Sequence, residues 1–221
     1  SLPAASPLGR HFSLSLPPAR DLMAGQTRGP EYDRIQRVCS RLAEARTRGE
    51  AGILIAREVS AYSLFDLQVI MGRVRHEVHR LPPPYRNAAG PYLLSQIVDA
   101  HHSLLTSCTR GEFRQMKEPL RERELYLSYL GMIPDGCYAG DPKAEYLPQF
   151  HSPLHRMFYY LLAGYVMFVQ ERPGHPVGTP FPGGGKVEER DGAFFCPVRD
   201  KHKDVSFAIC NFCPARQADE R

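Results

Sequence analysis

Residues 62–81, YSLFDLQVIMGRVRHEVHRL, decide the fold class. Leu64, Leu67, Met71, Val74, Val78 and Leu81 recur in steps of three and four. That spacing is the a/d seam of a helix packed along its length against other helices. Pro82-Pro83-Pro84 ends it, because proline has no N–H to donate and clashes with the preceding turn. Three further segments repeat the pattern. Over 31–48, Ile35, Val38, Cys39, Leu42 and Ala43 define one face, Arg34, Arg37, Arg41 and Arg48 another, and Gly49 serves as a stop. Over 92–108, Leu93, Leu94, Ile97, Val98, His101, Leu104, Leu105 and Cys108 share a face. From Ser152-Pro153, an N-cap followed by a first-turn proline, a helix runs to about Val169 with Leu154, Phe158, Leu161, Leu162, Tyr165 and Phe168 inward. A shorter helix is expected over 119–130.

The texture changes after Arg172. Residues 173–185 are dominated by Gly and Pro, and 186–195 read as a small hairpin turning at Asp191-Gly192. The expectation is an all-α bundle of about five helices over 31–172, preceded by an extended arm at 1–30. It is followed by a Gly/Pro-rich and Cys-rich lobe at 173–221 that something other than core volume holds in place.

Composition narrows the function classes. Apolar residues make up 43% of the 221 and charged residues 24%, a globular balance that excludes disordered or collagenous chains. The net charge of +4 is too mild to signal nucleic-acid binding by itself. It is uneven, however, since residues 1–86 hold thirteen Arg against eight acids. No secretory h-region is visible in the first thirty residues, and the longest apolar run, Met157 to Val169, is shorter than the ~18 residues of a spanning helix. A cytoplasmic chain without a membrane segment is expected, and there thiols stay reduced and clustered Cys ligate metals more often than they form disulfides.

The six cysteines fall into two classes. Cys39 and Cys108 sit on apolar helix faces and are expected in the core. Cys137, Cys196, Cys210 and Cys213 fall in stretches rich in Gly and Pro, read as irregular backbone. Cys210-Asn211-Phe212-Cys213 can turn two thiolates toward one centre, and Cys196 closes a short loop onto them. A tetrahedral site or a cubane needs a fourth ligand, for which Cys137 is the first candidate and His202 the second. Proline follows two of the four, as in ferredoxin-type motifs. On spacing and ligand softness a [4Fe-4S] cluster is favoured, with Zn2+ the alternative.

The tail also resembles a known pattern. Gly178-Thr179-Pro180-Phe181-Pro182-Gly183-Gly184, Phe195-Cys196-Pro197-Val198, Lys201, Lys203-Asp204 and Ala208-Ile209-Cys210-Asn211-Phe212-Cys213-Pro214-Ala215-Arg216-Gln217 together resemble the C-terminal signature of an uncharacterised protein family of methanogenic archaea. The distinctive match spans about the last forty-five residues. It implies a strictly anaerobic archaeal cytoplasm, where exposed Fe–S clusters survive, and it carries Cys196, Cys210 and Cys213 residue by residue. It supplies no catalytic residues, and Cys137 rests on spacing alone.

Other constellations are weaker. Pro182-Gly183-Gly184-Gly185-Lys186-Val187 misplaces the first Gly of a phosphate loop and lacks its hydroxyl residue, so a turn is expected. His76-Glu77-Val78-His79 is one residue short of the zincin spacing and His76 points off the seam. Asp99 and His102 form another i, i+3 pair; His101 reads as a core histidine, and His151 and His155 flank the last helix. Tyr159, Tyr160 and Tyr165 are expected in the core or at its rim.

The first expectation is thus a metal-binding, iron–sulfur protein whose role is partner binding, assembly or redox sensing, with another protein as its partner. The second is a metal- or cluster-dependent enzyme that adds an open coordination position, or His101, His102 and His155, to the Cys site. The third is a helical nucleic-acid-processing factor using the Arg face, which would bind in a salt-dependent way.

Overall fold

Arg48 begins a helix where the sequence pattern predicted an end. The computed structural model describes residues 29–139, 152–201 and 206–218, so the expected arm at 1–28, His151 and His202 lie outside the described residues. The first helix, α1, spans Pro30–Leu42 and the second, α2, Arg48–Val59. The sequence carried the signal for α2: Thr47-x-x-Glu50 is a capping box in which Thr47 Oγ1 accepts from the Glu50 N–H at 3.1 Å. Gly49 is therefore not a stop. It sits in the first turn of α2 because the backbone of the 113–116 turn crosses directly over it, leaving no room for a Cβ. Arg48 accordingly leaves the expected Arg face; its Nε donates to the Val169 carbonyl at 2.7 Å.

The seam helix is α3, Leu64–His79, followed by α4, Pro83–Thr109. The three prolines do end α3, but Pro83 and Pro84 also open α4, in the turn where an absent N–H costs nothing. The helix then continues through Pro91 to reach 27 residues, starting well before the expected 92. Val74, Val78 and Leu81 are buried as the seam requires, whereas Leu64 is 73% exposed. Cys108 is exposed too, correcting its expected core position, because the last turn of α4 projects past the helices that cover Leu104.

A single 3-10 turn at Glu112–Arg114 leads to α5, Arg123–Tyr138, displaced from the expected 119–130. The Pro134-Asp135-Gly136-Cys137 stretch lies inside α5, which corrects its reading as irregular backbone. Proline removes one bond of the helix ladder there, but burial of Ile133, Pro134, Gly136 and Cys137 against the bundle offsets that loss. Last comes α6, Pro153–Gly164, capped by Ser152 as expected and widening into a π-turn at Tyr165–Val169.

Helix α6 is the axis of the bundle and packs on α1, α2, α4 and α5. Met157, Phe158, Tyr160, Leu161 and Leu162 are each at most 2% exposed. Burying such side chains stabilises the fold by roughly 1.5–3 kcal/mol each. The buried tyrosines also bond their neighbours: Tyr129 donates to the Tyr160 carbonyl at 2.6 Å and Tyr126 to the Leu42 carbonyl at 3.1 Å.

The C-terminal lobe holds a three-stranded sheet in the order β1-β2-β3, with β1 Glu188–Arg190, β2 Ala193–Cys196 and β3 Arg216–Gln217. Strands β1 and β2 form the expected hairpin; Asp191 and Gly192 both take positive φ, as a tight primed turn requires. Strand β3, parallel to β2, was not legible in two residues. The lobe's own core is Phe181, Val187, Cys196, Val198 and Ala215. It meets the bundle through the Tyr129–Phe212 ring pair at 5.1 Å, the Tyr160 hydroxyl on the Phe207 carbonyl at 3.0 Å, and the Tyr85 hydroxyl on the Pro180 carbonyl at 3.1 Å. The 182–187 stretch is the expected turn, with Gly183, Gly184 and Gly185 all at positive φ.

One helix cap is titratable. Asp66 accepts from the Ser63 N–H and hydroxyl at 2.9 and 2.6 Å and meets His155 Nε2 at 3.1 Å. The Ser63 hydroxyl first, and His155 second, hold its carboxyl down at about 2. A depressed folded value stabilises above the unfolded ~3.9 and loses that contribution as pH falls toward the folded value. With the side chain about one-third exposed, screening keeps the expected cost of Asp66→Ala near 1 kcal/mol at neutral pH. Urea unfolding at pH 7 and pH 2 checks this: the wild-type advantage should shrink toward zero in acid, and an undiminished advantage would contradict it.

Candidate metal centre

The tail cysteines are presented by three short segments of the lobe. Cys196 ends β2, Cys210 lies in the 3-10 turn Ile209–Phe212, and Cys213 follows that turn directly. Their local backbones are specific. The Cys196 sulfur accepts from the N–H groups of Val198 and Arg199, and the Cys213 sulfur from those of Ala215 and Gly174. Proline after each Cys turns the chain so that the next N–H groups point back at sulfur. Converging N–H donors favour the charged thiolate, which is the form that binds metal.

The two Cys-Pro turns are fastened together. Arg199 Nε donates to the Cys213 carbonyl at 3.2 Å. Gln217 accepts from the Asp200 N–H at 2.8 Å and donates to the Pro197 carbonyl at 2.9 Å. The Ala218 N–H closes onto the Cys196 carbonyl at 3.0 Å. Arg199 and Gln217 had no role in the spacing argument, because a clamp of this kind leaves no periodic trace.

The three sulfurs interact. Burial first, and then the charges of Cys213 and Cys196, push the Cys210 thiol up to about 12. Burial and then, after the opposing N–H bond from Val198, the charge of Cys213 raise Cys196 to about 11. Burial raises Cys213 as well. Arg199 opposes the rise at all three. Without a cation these groups keep their protons at neutral pH and are poor nucleophiles. A metal ion or cluster would replace the protons and supply the missing positive charge. The donor set therefore fits a thiophilic centre. Among the described residues, no three His, Cys, Asp or Glu side chains stand in a geometry that would hold a single ion.

Cys137, the first candidate for a fourth ligand, lies in a helix rather than a loop. It is fully buried in α5, its thiol pushed up by burial first and then by Cys39, and among the described groups the charges acting on it are those of Cys39 and Arg156. The Gly- and Pro-rich stretch around it, expected to be irregular, is helical, and the helix directs the side chain into the bundle. His155 is engaged by Asp66, and the His101 ring packs 5.8 Å from that of Phe158, with burial and then His102 lowering its basicity. His76 is exposed.

One buried polar side chain, Gln96, escaped the sequence reading. Gln96 of α4 is 7% exposed, and neither its Nε2 nor its Oε1 has a hydrogen-bond partner among the described residues. Leaving such atoms unpaired costs about 1–3 kcal/mol. The Tyr159 hydroxyl of α6 is raised by burial first, then by Tyr160 and Cys210; Gln96 opposes this, and Cys213 adds to it. The carboxamide thus lies beside the Tyr159 hydroxyl without closing a well-formed bond.

No helix among the described residues is long and apolar enough to cross a membrane. No solved structure matches the chain. Residues 47–218 match the family described as "Uncharacterized protein conserved in archaea (DUF2115)". A UPF0305 protein of Methanopyrus kandleri is 40% identical over 73 residues, 33% of this chain and 51% of the relative. One from Methanothermobacter thermautotrophicus is 52% identical over 54 residues, 24% of this chain and 35% of the relative. In these two alignments the chain thus spans about half and about a third of the relative's length. A UPF0305 protein of Methanocaldococcus jannaschii aligns over 75% of this chain and 93% of its own length at 22% identity. The family match takes in both the bundle from α2 onward and the cysteine lobe, and the chain belongs to this uncharacterised archaeal family.

Proposed function

We propose that the protein is a cytoplasmic metal-binding protein of anaerobic archaea whose centre, an iron–sulfur cluster, is ligated by Cys196, Cys210 and Cys213. The observation that supports this reading is three thiols, Cys196 and Cys210 buried and Cys213 partly so, near enough for their charges to act on one another, two of them with backbone N–H groups at sulfur. Three thiols, two of them followed by proline as in ferredoxin-type motifs, favour a cluster over zinc on ligand softness and sequence context. Cys137 is left to the bundle core. The centre would join the three segments of the lobe to one another, a role suited to assembly, partner binding or redox sensing.

Anaerobic purification of the full chain, with iron, sulfide and zinc analysis and visible absorption, tests the reading. Iron and sulfide in near-stoichiometric amounts are expected, lost by at least tenfold in Cys196→Ala, Cys210→Ala and Cys213→Ala and retained in Cys137→Ala. A wild-type chain with neither iron nor zinc would overturn the proposal, and zinc in place of iron and sulfide would overturn its cluster form.

A further inference from the structure

Between Asp66 and Asp99 the chain holds four Arg and two His but a single acid, Glu77. Arg80 engages that one carboxylate at 3.4 Å. Most of this basic stretch belongs to α3, which packs mainly on α4 and turns Ile70, Val74 and Val78 inward. Phe65, Gln68, Gly72, Arg75, His76 and His79 recur on the opposite side at helical steps, and all six are exposed. They span about 21 Å along one face, with no acid among them. Arg86, in the first turn of α4, reaches back to the His79 carbonyl at 3.1 Å and adds a guanidinium at that end. It keeps further N–H donors for a second partner.

Two residues of this face serve nothing in the bundle. Phe65 is 70% exposed. Gly72 stands inside a helix, where glycine costs roughly 0.5–1 kcal/mol against alanine. A methyl group there would meet nothing within 4 Å, so the fold does not require the glycine. The Arg face of α1 is different. Its Arg41 is tied to Glu58 at 2.6 Å, Arg48 has turned to the Val169 carbonyl, and Glu31, Asp33 and Glu44 are exposed on and beside the helix.

We propose that the outer face of α3 binds single-stranded nucleic acid. Arg75, His79 and Arg86 contact phosphates, Phe65 stacks on a base, and Gly72 lets the sugar–phosphate backbone lie close against the helix. The choice of partner rests on charge complementarity: a surface of cations and N–H donors without acids matches a polyanion. An exposed aromatic in line with the cations selects a single strand, whose bases are free to stack, over a closed duplex. An anionic membrane fits less well, because a helix lying in a lipid interface turns a broad apolar stripe outward, and the stripe of α3 is turned to α4. The proposal stands whether or not the cysteines hold a metal.

The full chain is titrated into fluorescein-labelled oligouridylate and oligothymidylate of twenty nucleotides, followed by anisotropy over about 50–200 mM salt. Binding that falls steeply with salt is expected. Arg75→Gln should lower the slope of log affinity against log salt by about 0.7. Phe65→Ala should weaken binding at least fivefold and leave the slope unchanged. Gly72→Leu should also weaken binding at least fivefold, while urea unfolding shows it no less stable than the wild type, since leucine favours the helix. Arg34→Gln/Arg37→Gln on α1 should stay within threefold of the wild type. No binding to either strand at the lowest salt would overturn the proposal. So would α3 variants that bind as the wild type does, a duplex of the same length bound as tightly as the single strand, or binding to phosphatidylglycerol vesicles alone.

Discussion

Gly49→Ala is expected to destabilise the protein by about 3 kcal/mol or more, a larger loss than most point substitutions cause. A Cβ added at Gly49 lies 2.1 Å from the Phe113 carbonyl oxygen and 2.5 Å from that of Met116. Both obstacles are backbone, so no rotamer change relieves them. The 113–120 segment would have to move away from α2, breaking the Arg48 N–H bond to the Glu118 carbonyl at 2.9 Å and the Leu120 N–H bond to the Arg46 carbonyl at 3.0 Å. Those bonds, with the Thr47–Pro119 bridge, anchor the start of α2 across the bundle. Gly72 and Gly131 provide the controls. Each lies in a helix with nothing within 4 Å of where a methyl group would stand, and alanine there should stabilise by about 0.5–1 kcal/mol through propensity alone. Urea unfolding followed by circular dichroism separates the cases. A Gly49→Ala protein within 1 kcal/mol of the wild type would mean that α2 does not meet the 113–116 turn this closely.

The same residue shows where sequence reading stopped. Periodicity located α1, α3, the later part of α4 and α6, because each buries a stripe and stripes repeat. It ran past the start of α2, where the deciding signals were local: a capping box at Thr47 and Glu50, and a glycine selected by a crossing backbone rather than by a helix end. Prolines misled in the opposite direction. Pro134 suggested a break that burial overrides, and Pro83, taken as a helix end, also began the next helix. In the tail, the cysteines stood out in the sequence because thiols at short spacing are rare. Arg199, Gln217, Gln96 and Tyr159 did not, since their placement depends on which elements meet in space. Cys137 shows the converse case: Pro134 and Gly136 suggested irregular backbone, and burial of that stretch keeps it helical.

Removing the metal should open the lobe and spare the bundle. The lobe's own core is only Phe181, Val187, Cys196, Val198 and Ala215, under a sheet whose third strand has two residues. A core of that size cannot offset the conformational entropy of ordering some forty residues at roughly 1–2 kcal/mol each. Structural zinc in small domains contributes about 10–16 kcal/mol to folding, which gives the scale on which a metal can make up such a deficit. The bundle needs no such help, because α6 is enclosed by α1, α2, α4 and α5. Chelation of the anaerobic protein should therefore increase trypsin cleavage after Lys186, Arg190 and Arg199 by at least tenfold, with little loss of helical circular dichroism. The Cys196→Ala/Cys213→Ala double variant should start in that state without any chelator. Cleavage of this kind follows the population of opened lobe when closing is fast, so a tenfold rise corresponds to about 1.4 kcal/mol of lost protection, a minimum for a centre that closes the fold. If stripping is verified by metal analysis and the three sites remain as resistant as before, the lobe is held by its contacts to Tyr129, Tyr160 and Tyr85, and the sulfurs serve chemistry rather than architecture.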